Sequence, residues 1–87
     1  EWASEIKRDF PADIRVEVLN RRGVLAQLAA VVAEEDSNIN RVAVVARDDR
    51  NSAIRFTIEV RDRQHLARII RRLRARRSVI RVSRAKG

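Results

Sequence analysis

"ADIRVEVLNRRGVLAQLAAVV", Ala12 through Val32, changes its hydrophobic period once, and the position of that change decides the fold. Ile14, Val16 and Val18 alternate with Asp13, Arg15 and Glu17, the period of two expected of a half-buried strand. After "NRRG", Leu25, Leu28, Ala29 and Val32 fall at i, i+3, i+4 and i+7, one apolar face of an amphipathic helix. With Asn20 as N-cap, Gly23 takes the third helical position, where glycine costs about 1 kcal/mol against alanine. Two reasons compete for it. Gly23 relieves crowding as the chain turns from sheet to helix, or it lets a ligand approach the unpaired N–H groups of a helix N-terminus.

Downstream, Glu34, Glu35 and Asp36 crowd a helix C-terminus, where the dipole disfavours anions, so the helix is expected to fray early into a Ser37-Asn38 turn. "INRVAVVAR", Ile39 to Arg47, reads as a strand with apolar residues on both faces. "DDRNS", Asp48 to Ser52, is a polar hairpin turn, followed by the alternating strand of Ile54, Phe56, Ile58 and Val60. Asp62 is a good N-cap for a second helix with Leu66, Ile69, Ile70 and Leu73 on its apolar face and Arg74, Arg76 and Arg77 at its C-terminus. "SVIRVSR", Ser78 to Arg84, closes as a short strand. Upstream, Trp2, Ile6 and Phe10 are spaced by four and Pro11 ends that pattern. Residues 1–11 therefore read as the end of a linker, with Trp2 packed on the domain formed by 12–87. The order β-α-β-β-α-β, with one apolar face per helix, predicts an α+β, ferredoxin-like fold: a four-stranded antiparallel sheet with two helices on one face.

Eighty-seven residues make one domain, and the start at Glu1 with no methionine leads us to expect a piece of a longer protein. There is no cysteine, which excludes disulfide and thiolate chemistry; no apolar run is long enough for a membrane span, so a cytoplasmic location and no membrane partner are expected. The formal charge of +8 is almost all arginine, the only lysines being Lys7 and Lys86. That balance fits a phosphate-binding surface, and it fits equally a GC-rich genome that writes arginine wherever a solvated cation is tolerated.

Catalysis finds little support. His65 is the only histidine and reads as a surface or capping residue of the second helix; Glu34, Glu35 and Asp36 are consecutive and so point in different directions. No phosphate-binding glycine loop occurs. No enzyme activity, cofactor or metal is expected of this chain. Base stacking on the sheet is unsupported as well, because the only aromatic in the alternating strand, Phe56, belongs to its core-facing set. A phosphate contact remains open on the second helix, where Arg68, Arg71 and Arg72 share a face opposite the leucines, against an alternative in which that face is merely solvated.

A strand, "NRRGVL", and an amphipathic helix ending in "SNI" resemble the ACT domain, a small-molecule regulatory module. In amino-acid-binding members, such as that of phosphoglycerate dehydrogenase, an asparagine or aspartate precedes the loop glycine by three, and a second asparagine precedes the isoleucine opening the next strand. Asn20, Gly23, Asn38 and Ile39 fill those positions. Together with "FTIEVRDRQHLARIIRRLR" and the closing "VIRVSR", the chain is similar over nearly its whole length to the C-terminal ACT domain of RelA/SpoT-type (p)ppGpp synthetase/hydrolases. The resemblance implies a regulatory domain of the stringent response, with catalytic domains upstream. It further implies side-by-side dimers that hold an effector between the first loop of one copy and the second-strand start of the other. That effector is a branched-chain amino acid, valine first, and the implied residues are Asn20, Arg21, Arg22, Gly23, Val24, Leu25, Asn38 and Ile39. Arg21 and Arg22 depart from the smaller residues or proline usual there. The alternative is a module contacting ribosomal RNA through Arg68, Arg71 and Arg72.

Overall fold

The computed structural model describes residues 9–85. The packing of Trp2, and the spacing of Ile6 with it, lie outside the described residues. The elements follow the expected order: β1 (Phe10–Leu19), α1 (Val24–Glu34), β2 (Asn38–Arg47), β3 (Asn51–Val60), α2 (Arg63–Arg74) and β4 (Val79–Arg84). The sheet runs β2-β3-β1-β4 with every neighbouring pair antiparallel, so each helix connects two strands that are parallel and separated by one other strand. This is the split βαβ, ferredoxin-like arrangement.

One core lies between the sheet and the helices. β1 contributes Ile14, Val16 and Val18, β3 Ile54, Phe56, Ile58 and Val60, α1 Leu28, Val31 and Val32, and α2 Leu66, Ile69 and Leu73. The strand alternation is as the sequence predicts. The α1 face differs: Val31 is fully buried, and Leu25 is 42% exposed, where it lines an open cleft with Val44 of β2 instead of entering the core.

β1 begins at Phe10, two residues ahead of the predicted Ala12, and Pro11 pairs with Glu59 inside it. The proline does not end the strand because β4 first joins β1 at Ile14, leaving this segment with β3 alone beside it, a setting that tolerates proline. β2 carries bulges after Ile39 and after Val44. Ile39, Val42 and Val44 lie opposite Ile58, Phe56 and Ile54 and so share the core side of the sheet, while Ala43 and Ala46 lie opposite Arg55 and Ala53 on the other; apolar residues occupy both faces, as the sequence predicts.

His65 is 1% exposed, not a surface residue. Its Nδ1 accepts from the Arg61 N–H at 3.0 Å, which places the proton on Nε2, and Nε2 donates to the Glu35 carbonyl at 2.5 Å. It joins the end of α1 to the start of α2. Glu34 and Glu35 also differ from expectation. Although consecutive, both reach Arg72, at 2.5 and 3.2 Å, and Glu35 also meets Arg68 at 3.3 Å. These cations from α2 offset the unfavourable charge at the end of α1, which stays helical through Glu34; Asp36 then ends the turn at φ +59°.

Candidate functional site

The loop that carries the motif residues is braced from behind. Asn20 does not cap α1. Its backbone N–H donates to the Arg50 carbonyl at 2.7 Å, its Nδ2 donates to the Asp48 carbonyl at 2.8 Å, and its Oδ1 accepts from the Ser52 hydroxyl. The Asp48 carboxylate in turn accepts the N–H groups of Asn51 at 2.7 Å and Arg50 at 2.9 Å. Those backbone bonds, Asn51 first, hold the Asp48 carboxyl below its ordinary 3.8. Asn20 thus fastens the end of β1 to the β2–β3 hairpin.

The N-cap is Gly23 itself, at φ +78°, with no side-chain cap, and the first turn of α1 contains no acidic residue. A Cβ at Gly23 would meet nothing within 4 Å. Crowding therefore does not explain the glycine. The left-handed backbone does, and the space beside it is open.

The residues on either side of Gly23, Arg22 and Val24, line a cleft of about 410 Å³ between the β1–α1 loop and the β2 edge. Val18, Val24, Leu25, Val44 and Ile54 form its apolar lining; Asn20, Ser52, Arg21, Arg22 and Arg47 form the polar one. An aliphatic surface beside three guanidinium groups suits a small molecule with a branched apolar body and a carboxylate. Val44, Arg47, Ser52 and Ile54 were not singled out from sequence; they lie 24 to 34 positions after Asn20 in the chain, and only the strand order brings them to it.

The other half of the motif is elsewhere. Asn38 and Ile39 open β2 opposite Glu59 and Ile58, at the far end of α1, whose 11 residues span about 16 Å. Asn38 donates to Asn40, which donates to Glu59. A single chain does not bring the two asparagines together. Of the arginines assigned to the second helix face, Arg68 and Arg72 are engaged with Glu35 and Glu34, and Arg71 alone is exposed and outside any ion pair among the described residues. No cluster of metal-ligating side chains occurs among the described residues, and no described helix is long and apolar enough to cross a membrane.

A family profile described as the ACT domain matches residues 6–84. The chain is 37% identical over 84 residues to the bifunctional (p)ppGpp synthase/hydrolase SpoT of Escherichia coli (strain K12), a match covering 97% of this chain and 12% of that protein. It is 34% identical over 83 residues to the GTP pyrophosphokinase rsh of Brucella ovis, covering 95% and 11%. Among solved structures, the ACT domain from the GTP pyrophosphokinase of Chlorobium tepidum superposes with a TM-score of 0.76 at 27% identity, covering 88% of this chain and 99% of that one. The chain therefore spans about one-eighth of the length of the curated relatives it matches.

Proposed function

The chain belongs to the ACT-domain family, and on that premise we propose that it is the effector-sensing domain of a (p)ppGpp synthetase/hydrolase, binding a branched-chain amino acid, valine first, and relaying its occupancy to catalytic domains of the same protein. The observation that carries the proposal is the cleft at the β1–α1 loop, with its aliphatic lining and its arginines. The effector carboxylate meets Arg21, Arg22 or Arg47 and the unpaired N–H groups at the uncapped start of α1; the branched side chain meets Val18, Val44 and Ile54.

A second copy completes the site. β2 is an edge strand with Val42, Val44 and Val45 exposed at 39, 54 and 46%. Antiparallel pairing of β2 with its copy about the Val42–Ala43 midpoint sets Asn38 of one chain beside Arg47 of the other. It thereby brings the missing asparagine to the mouth of the cleft that Arg47 lines. The ammonium group then donates to the Asn38 Oδ1.

An amide-shift titration with valine, leucine and isoleucine tests this. Shifts are expected at Gly23, Val24, Leu25, Asn38 and Ile39; their absence at millimolar ligand overturns the proposal. Because the ligand binds the native state, valine is also expected to raise the melting temperature.

A further inference from the structure

A second cleft, of about 720 Å³, lies on the opposite side of the β1–α1 loop, and its lining is unlike that of the first. Arg21 and Arg22 line one side; Arg76 and Arg77, from the turn between α2 and β4, line the other. The remaining contributors, Gln27, Ala75 and Ser78, are neutral, so no carboxylate faces the four guanidinium groups. None of the four enters an ion pair among the described residues, where Arg15, Arg55, Arg68 and Arg72 hold all the pairs. The two sides are fixed relative to each other: the Leu19 N–H, one residue before the loop, donates to the Ser78 carbonyl at 2.8 Å, and the turn closes on itself through Val79 N–H to Arg76 carbonyl at 3.1 Å. α1 starts two residues after Arg22, so the positive end of its dipole adds to the same field.

From this arrangement we infer that the cleft between the β1–α1 loop and the α2–β4 turn binds a compact oligophosphate, a small molecule bearing a di- or triphosphate group. Four like charges held together without counter-charge repel one another, and a single carboxylate neutralises one of them. A pyrophosphate presents several charged oxygens within one cleft and accepts forked hydrogen bonds from guanidinium groups on both sides. The volume lies within the roughly 300–1,000 Å³ usual for small-molecule sites. An extended RNA backbone fits less well. Of the α2 face that would continue its track, Arg68 and Arg72 are neutralised by Glu35 and Glu34, which leaves Arg71 alone of those three outside an ion pair. Arg76 and Arg77 line this cleft and not the aliphatic one, so the inference stands or falls apart from the amino-acid proposal.

The test is calorimetric titration of the 87-residue chain with tripolyphosphate, with amide shifts read in parallel. Saturable one-site binding is expected, with shifts at Arg21, Arg22 and Arg76–Ser78. Arg76→Glu and Arg77→Glu are each expected to weaken it by about tenfold or more. Arg63→Glu, the same change of net charge at an exposed residue on the far end of α2, is expected to leave binding within about threefold, since it removes no direct contact. Melting temperatures of the variants establish that each is folded; if a variant is unfolded, Arg76→Gln and Arg77→Gln replace it. Equal weakening by Arg63→Glu, or non-saturable binding, overturns the inference in favour of bulk charge. Binding to an RNA oligonucleotide that grows with its length and exceeds that of tripolyphosphate overturns it in favour of a backbone track.

Discussion

Gly23 and His65 are the two residues whose roles changed most between the linear chain and the folded one. Gly23 is needed for φ +78°, and the open space above it means that a side chain there meets strain and no clash. Gly23→Ala is accordingly expected to destabilise by about 1–2 kcal/mol, a fall in melting temperature of roughly 4–8 °C per kcal/mol for a domain this size, with Gly23→Asn milder because asparagine tolerates the left-handed region. Thermal unfolding of both variants checks the order; an unchanged melting temperature in Gly23→Ala contradicts the conformational explanation. His65 was visible in sequence only as a lone histidine near a helix start. Its partners, the Glu35 carbonyl and the Arg61 N–H, are backbone groups, and backbone groups leave no signature in side-chain pattern.

At the scale of elements, carboxylates do the joining. Asp13 on β1 accepts from Thr57 and Arg55 on β3, both at 2.7 Å; Glu35 ties α1 to Arg68 and Arg72; Asp62 caps α2 by accepting the His65 N–H at 2.7 Å. The hydrogen bonds from Thr57 and then Arg55 hold Asp13 below its ordinary 3.8, and the His65 N–H does the same for Asp62. At Glu35 desolvation pushes upward, and the two arginines together outweigh it, leaving the carboxyl below its ordinary 4.5. A carboxyl lowered in the folded state binds its proton more readily when unfolded. Its contribution is therefore complete above the unfolded value and disappears as pH falls through the folded one. The melting temperature is expected to be flat from neutral pH down to about 5 and to decline progressively below about 4. Asp13→Asn is expected to be less stable at neutral pH and to show a shallower decline; an identical acid profile removes Asp13 from the account. These groups are partly exposed, so added salt reduces the effect.

The molecule as a whole has two unlike edges. β4 is short, whereas β2 presents ten residues with three exposed valines, and its twofold pairing is what the amino-acid proposal requires. Val42 lies on that edge outside the aliphatic cleft, so Val42→Lys is expected to shift a dimer towards monomer in sedimentation velocity and to weaken the valine response with it. A wild-type chain that sediments as a monomer at all concentrations, with or without valine, rules out that geometry. The same strand shows how far sequence reaches. Alternation along β1 and β3, the helical spacing of Leu28 and Val32 or of Leu66, Ile69 and Leu73, and the polar turn at Asp48 were legible, because burial on one face writes a local period of two or about 3.6 into the chain. Element order and period together determined the fold and, with the loop motif, the family. Tertiary structure alone decided that Asn20 braces a hairpin 28 residues away instead of capping its own helix, that Glu34 and Arg72 pair across 38 residues, and that Arg21 and Arg22 stand between an aliphatic cleft and a cationic one. Such partners are set by which strands become neighbours in the sheet, and that depends on three-dimensional packing with no repeating trace along the sequence.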